Sequence, residues 1–479
     1  MENKAKTFLK NVIYTFSSNF TSFVINALVV LFIPKLIGVE EYGYFQLYTL
    51  LATYALYCHF GWCDGIYLRN VGKKYEELDK EVLASQFRGI CLMSVTSFVI
   101  LVTIVFLFVD DSNKAWIYLM ASAAVMLVSP KIYTSVVVQS VNRMKHYSGI
   151  LIAEKCVYAV ILIIMLLCGV RDFRILITAD VVGKIAAVSI GIYYCRDVIS
   201  TGIRKCERKK YLSEAKTNIC VGFFLLLSNI SSVMITGIVQ LSVETKWSIE
   251  TFSKVSLTFN MSKLLMVVVN AVGVVLIPML KNTDSRKMAE LYQSMRSVLM
   301  TVLGFMLVLY YPIKVIMSMW LPQYTESLQY MALLFPMCLF ESKTSMLLNT
   351  YLKAMREEKK LCAVNVIVVV LSAIVSVITV FLLGNLNAAI IAIPYLLAVR
   401  ALILEFYVGK KLGLKLMKGA VEEIILASCF IIFSWFIDSW LTMAAYMSVY
   451  LVYAFINKNH LKSAVTTFMA KFKARGVQQ

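Results

Sequence analysis

Residues 89–108 read GICLMSVTSFVILVTIVFLF, twenty consecutive positions without a charged side chain. An α-helix of about 20 apolar residues crosses the hydrocarbon core of a bilayer. A barrel strand would show only about ten residues of alternating character, so this stretch predicts a membrane-spanning helix. Similar runs recur outward from it, at roughly 11–36, 42–66, 83–109, 115–139, 146–169, 173–195, 212–240, 255–280, 291–314, 327–350, 361–383, 386–409, 420–437 and 439–456. The expectation is an all-α polytopic membrane protein with about 14 transmembrane helices. The first run is studded with Ser17, Ser18, Asn19, Thr21, Ser22 and Asn26, and the last two runs share only Asp438 as a hinge.

Composition points the same way. The chain has 479 residues, 60% of them hydrophobic and 16% charged, with a mean hydropathy of +0.76. Soluble domains are about 45–50% apolar and about a quarter charged, so lipid must cover much of this surface. That excludes a soluble enzyme, a disordered scaffold and a secreted disulfide domain. The formal charge of +19 has a topological reading. With a cytoplasmic N-terminus, most of the 47 Lys and Arg residues fall in alternate, inner segments. Only Lys35, Lys114, Arg171, Arg174, Lys246, Lys254 and Lys314 fall in the outer ones, as the positive-inside bias requires. Both termini are therefore expected in the cytoplasm, and no nucleic-acid partner is needed to explain the basic surplus. The first run is long and lacks a small-residue cleavage pattern, so it is expected to be a retained helix. The eleven cysteines show no metal-ligand spacing with histidine, and neither disulfide, zinc nor other cofactor is expected.

The chain also repeats itself at an offset of 210 residues. Ser18-Asn19-Phe20-Thr21-Ser22-Phe23-Val24-Ile25 aligns with Ser228-Asn229-Ile230-Ser231-Ser232-Val233-Met234-Ile235. Thr134-Ser135-Val136-Val137-Val138-Gln139-Ser140 aligns with Thr344-Ser345-Met346-Leu347-Leu348-Asn349-Thr350. Three parts follow: residues 1–210 as an N-terminal lobe of helices 1–6, residues 211–417 as a C-terminal lobe of helices 7–12, and residues 418–479 as helices 13–14 with a basic tail. A parallel repeat of this kind is how alternating-access transporters are built, with the site between lobes.

Ionisable groups inside membrane spans are expensive and mark cavities or pairs. Six cations stand in the runs: Lys131, Lys155, Lys184, Lys263, Lys343 and Arg400. Glu154, Asp180, Glu341 and Glu405 stand against them. The surplus is positive, so a shared cavity would suit an anionic ligand such as a multiply charged phosphate, which ammonium groups meet as point charges. The same lysines can instead neutralise acids on neighbouring helices. Asp180 and Lys184 are spaced to pair on one helix face, whereas Glu154 and Lys155 diverge by about 100°. Glu154, Asp180 and Glu341 are the candidates for coupling transport to H+ or Na+, and no residue presents itself as catalytic. Pro130, Pro336 and Pro394 are expected to kink their helices beside these charges.

Several short motifs resemble a known family. Ile33-Pro34-Lys35-Leu36-Ile37-Gly38-Val39-Glu40-Glu41-Tyr42-Gly43-Tyr44-Phe45 resembles the junction between the first two helices of bacterial polysaccharide flippases. Phe60-Gly61-Trp62-Cys63-Asp64-Gly65-Ile66-Tyr67-Leu68-Arg69 is similar to the end of their second helix. Leu276-Ile277-Pro278-Met279-Leu280 and Leu321-Pro322-Gln323-Tyr324 look like later marks of the same proteins. The resemblance is to the Wzx-like branch of the multidrug/oligosaccharidyl-lipid/polysaccharide exporter (MOP) superfamily. It implies flipping of isoprenoid-diphosphate-linked oligosaccharide across the bacterial cytoplasmic membrane for assembly of O-antigen, capsule or exopolysaccharide. Polymerase and glycosyltransferases of the same pathway would be its partners. A drug-cation antiporter of the superfamily, and a membrane-embedded polymerase or ligase, are the alternatives. The longest outer segment, about Leu241–Lys254, carries no histidine, which disfavours an enzyme.

Overall fold

The apolar runs fold as helices because, in lipid, only intra-helical bonding satisfies the backbone of a single crossing segment. The computed structural model describes residues 2–201, 208–281, 288–414, 416–437 and 440–458, and among these no strand occurs. Among the described residues ten helices are long and apolar enough to cross a membrane, or eleven when one bent pair counts as a span. The chain divides into two compact units, Met1–Ile230 and Ser231–Gln479.

The first unit holds α1 (Glu2–Leu36), α2 (Val39–Ala55), α3 (Trp62–Asn70), α4 (Lys80–Phe108), α5 (Ser112–Ser140), α6 (Met144–Leu167), α7 (Phe173–Tyr194) and the short α8 (Arg196–Thr201). It also includes the first part of α9 (Arg208–Lys246). Aspartates set three of the helix starts. The carboxylates of Asp79, Asp111 and Asp172 accept backbone N–H bonds from Val82, from Asn113 and Lys114, and from Arg174, as N-cap side chains do.

The run at 42–66, expected as one helix, is instead two. Between α2 and α3 the chain turns through Phe60 (φ 49°) and Gly61 (φ 82°), and a left-handed pair ends helical propagation. The break aims α3 at α9. Gly61, Gly65 and Arg69 meet Gly222, Asn218 and Glu214, so each helix presents every fourth residue to the other. A Cβ on Gly65 would lie 1.8 Å from the Asn218 carbonyl oxygen. One on Gly222 would lie 2.0 Å from that of Gly61. At the end of the seam the Arg69 guanidinium donates to Glu214 (2.6 Å) and to the Asn218 side chain (2.7 Å). Small residues allow this backbone approach in a membrane.

The second unit continues through α10 (Ile249–Lys281), α11 (Met288–Met306), α12 (Tyr310–Trp320), α13 (Tyr330–Leu334), α14 (Met337–Ser342), α15 (Asn349–Ala354), α16 (Glu358–Ser376), α17 (Leu386–Leu412), α18 (Met417–Phe436) and α19 (Trp440–Ile456). Pro336 bends the span expected at 327–350. The segments Pro322–Leu334 and Met337–Ala354 meet at 46°, and Lys343–Leu348 then continues as a π-helix. Pro130 and Pro394, by contrast, lie within the continuous helices α5 and α17. The last two helices are part of this unit's core. Phe430 of α18 packs against the rings of Tyr310, Phe335 and Tyr446 at centroid distances of 5.4, 6.2 and 5.2 Å. The Tyr446 hydroxyl of α19 donates to the Gly304 carbonyl at 2.8 Å. The Asp438 hinge, Cys206 and the tail beyond 458 lie outside the described residues.

The α3–α9 seam makes Gly65→Ala costly. We expect it to lower the unfolding temperature in detergent by several degrees, through a strain of about 1–3 kcal/mol. Gly38→Ala, where an added Cβ meets nothing within 4 Å, is expected to leave it unchanged.

Candidate functional site

In the first unit the charged side chains come from α5, α6 and α7. Lys131, directly after Pro130, is buried, and its ammonium donates to both Glu154 oxygens, at 3.2 and 3.0 Å. Asp180 accepts from Lys184 one turn on and from the Tyr48 hydroxyl of α2 at 2.7 Å. The Lys184 ammonium also stands 5.8 Å from the centre of the Tyr48 ring. Lys155 is different. One residue after Glu154, it points elsewhere, and its ammonium donates to the Asn26 side-chain carbonyl of α1 at 3.3 Å. Glu154 and Asp180 lie within its electrostatic reach, but no carboxylate among the described residues pairs with it directly. The cluster of three cations and two acids keeps one positive charge in surplus.

The second unit concentrates its charge in a closed ring. Arg296 of α11 donates through Nε to Glu405 of α17 and through Nη2 to Glu423 of α18. Lys343, at the start of the π-helix, donates to the second oxygens of the same two carboxylates. All four side chains are buried, and their charges cancel. Arg400, wholly buried, donates to Glu341 and, at 2.7 Å, to the Ser232 hydroxyl. Lys263 of α10 has no such partner among the described residues. It is exposed, its ammonium lies 4.2 Å from the centre of the Phe259 ring, and Glu341 acts on it only through its field.

Of the six cations that the sequence singles out, the structure thus pairs Lys131, Lys184, Lys343 and Arg400 with acids and leaves Lys155 and Lys263 unpaired. Lys131, Lys343 and Arg400, which have no partner on their own helix, each find an acid on another one, as the alternative to a shared cationic cavity has it. The physical reason is that an unpaired ion in a lipid-embedded core is costly. Two members of the ring, Arg296 and Glu423, are not among the span charges singled out from the sequence. A signal for them exists in the spacing. Tyr292, Arg296, Leu299 and Leu303 share the buried stripe of α11, and Ala420, Glu423, Ala427 and Phe430 share that of α18. A charge on an apolar stripe of helical period is a core charge.

The paired arrangement can do two things. Closed pairs fix helices to one another. An unpaired ammonium beside a pair can attract an anion, and an anion that draws a lysine from its acid leaves a carboxylate ready to take up a proton or a cation.

Comparisons with known proteins agree with this architecture. Residues 8–284 match the family described as polysaccharide biosynthesis protein. No curated protein sequence matches the chain. Among solved structures, it is similar to the lipid II flippase MurJ in an inward closed conformation, at 14% identity and a TM-score of 0.64, covering 94% of this chain and 99% of that one. It is also similar to structures of multidrug resistance MATE family transporters of the MOP superfamily. One in an inward-facing conformation aligns at 10% identity and a TM-score of 0.62 over 82% of this chain and 98% of that one. One in an outward-facing conformation aligns at 12% and 0.59 over 85% and 96%. At these identities the likeness is one of fold, and the fold is MOP-like.

Breaking the ring should be a stability event. Lys343→Ala leaves two buried carboxylates facing one guanidinium, and we expect a loss of about 3–5 kcal/mol, read as a large drop in unfolding temperature or in folded yield. Lys263→Ala, which breaks no pair, is expected to unfold within a degree or two of the parent.

Proposed function

The chain belongs to the polysaccharide biosynthesis protein family, and we propose that it flips isoprenoid-diphosphate-linked oligosaccharide repeat units across the bacterial cytoplasmic membrane, by alternating access, for assembly of a surface polysaccharide. Family membership across residues 8–284 carries the reading. The unpaired cations support it: Lys155 in the first unit and Lys263 in the second each leave positive charge within apolar spans. A diphosphate is the anion that a lipid-linked sugar would bring to such groups. In this reading Lys155 and Lys263 each offer, within their own unit, a positive charge to the diphosphate, while Lys131, Lys184, Lys343 and Arg400 hold the helices and carboxylates of their units in place. Glu154, Asp180 and Glu341 are the groups that would exchange a lysine or arginine for H+ or Na+ as the carrier cycles. Both termini are cytoplasmic, and polymerase and glycosyltransferases of the same pathway are its partners.

A drug-cation antiporter would need a negatively charged site. Surplus positive charge disfavours it, because like charge costs binding energy. A polymerase or ligase would need reactive side chains outside the bilayer.

Two measurements test the proposal. Purified protein in proteoliposomes is expected to move a fluorescent polyprenyl-diphosphate-linked oligosaccharide between leaflets and to leave cationic dyes where they are; the reverse pattern overturns it. In cells, Lys155→Ala and Lys263→Ala are each expected to cut surface polysaccharide about tenfold at normal protein level, the loss of one charge-assisted contact of about 1.5 kcal/mol. Full display from the double variant would remove the diphosphate contact from the scheme.

A further inference from the structure

The first helix carries polar side chains whose hydrogen-bonding capacity is largely unused among the described residues. Asn19, Ser22 and Asn26 lie within the span Ile13–Leu36, at i, i+3 and i+7. At about 100° per residue they fall within about 60° of one another around the axis. Alongside them Ile13, Phe16, Phe20, Val24 and Leu28, all exposed large apolar residues, form a separate face centred about 150° away, and only beyond Asn26, toward the helix end, do the exposed Phe32 and Leu36 turn off that face. That apolar face is the one built for lipid. Asn19 and Asn26 are also exposed and Ser22 is half-buried, so the polar strip is open on a side of α1 that the lipid-facing residues do not occupy. Neighbouring hydroxyls on the helix are already satisfied by its own backbone: Thr15 donates to the Asn11 carbonyl and Ser18 to the Thr15 carbonyl. Asn19 and Ser22 have no hydrogen-bonding partner among the described residues, and Asn26 only accepts from Lys155.

An open amide facing hydrocarbon would cost several kcal/mol, so this strip faces water or a polar ligand. Resting on the diphosphate role of Lys155 given above, we propose that Asn19, Ser22 and Asn26 form a glycan-binding rail along α1. A carboxamide both donates and accepts, which matches the paired hydroxyls of a sugar ring. The order of groups also matches a lipid-linked oligosaccharide. Lys155, for the diphosphate, adjoins Asn26, for the first sugar, and Ser22 and Asn19 follow for the sugars beyond. Asn19 lies about 10 Å along the axis from Asn26, at 1.5 Å per residue. Asn229, the residue aligned with Asn19 by the internal repeat, is likewise exposed without a hydrogen-bonding partner among the described residues, so the exposed amide occurs at the same position of both repeats.

The test compares two probes in proteoliposomes: a polyprenyl diphosphate bearing one sugar and one bearing a complete repeat unit. Asn19→Leu is expected to slow the repeat-unit probe about fivefold, the loss of one hydrogen bond of about 1 kcal/mol, and to leave the single-sugar probe at the parent rate. Asn19→Gln, which keeps the amide, is expected to regain most of the rate, and Lys263→Ala to slow both probes alike. Thermal stability of Asn19→Leu should equal that of the parent. Parent rates for Asn19→Leu on both probes, or equal slowing of both, would overturn the rail while leaving the flippase reading intact. A parent protein that moves neither probe would overturn the flippase reading, and the rail with it.

Discussion

An ion buried in a lipid-embedded protein must find its counter-ion inside the protein, and the internal organisation of both units follows from that constraint. The cost of an unpaired charge away from water far exceeds the cost of ordering two side chains. Lys131 therefore reaches across to Glu154, Arg400 to Glu341, and Arg296 and Lys343 share Glu405 and Glu423. Each pair joins different helices, so neutralisation and helix assembly are one event. Replacing such pairs by apolar residues can be neutral or better for stability. In the function proposed above their value lies in being exchangeable: an incoming anion takes the place of a carboxylate, and the carboxylate it displaces takes up a proton or a cation.

The ring in the second unit also gives the last two helices a reason to stay. Glu423 of α18 supplies half of its negative charge, and Phe430, on the same buried stripe, sits among the aromatic rings of Tyr310, Tyr311, Phe335 and Tyr446. Lys343 enters the ring at the first residue of a π-helix, just past a 46° bend. Such π segments are frequent at functional sites. Here Lys343 reaches both carboxylates from that position.

The internal repeat reappears as shared local roles rather than as shared residues. Thr134 and Thr344 each donate to a carbonyl one turn back, those of Pro130 and Phe340. Lys131 and Glu341, aligned by the repeat, carry opposite charges, yet each is half of a pair to a neighbouring helix. Tyr133 and Lys343, also aligned, both reach to another helix: the Tyr133 hydroxyl donates to the Leu83 carbonyl at 2.6 Å, and Lys343 joins the ring. What the two copies keep is the helix position from which a polar group reaches a neighbouring helix.

By itself the sequence determined that this is a helical membrane protein, where most of its spans run, that it contains a repeat, and which family it resembles. Those properties are legible because hydropathy and length act locally: a run of twenty apolar residues has one stable form in lipid, whatever surrounds it. Asp180 and Lys184 could be paired from spacing alone for the same reason. Only the tertiary structure decided which cations are neutralised and which are left over. Lys131 and Lys155 look equivalent in sequence, but the partner of each sits on a different helix, and helix rotation and packing choose it. The same holds for Arg296 and Glu423, whose partners lie on other helices and which packing places in the core, and for Gly61, whose left-handed turn divides an apolar run in two.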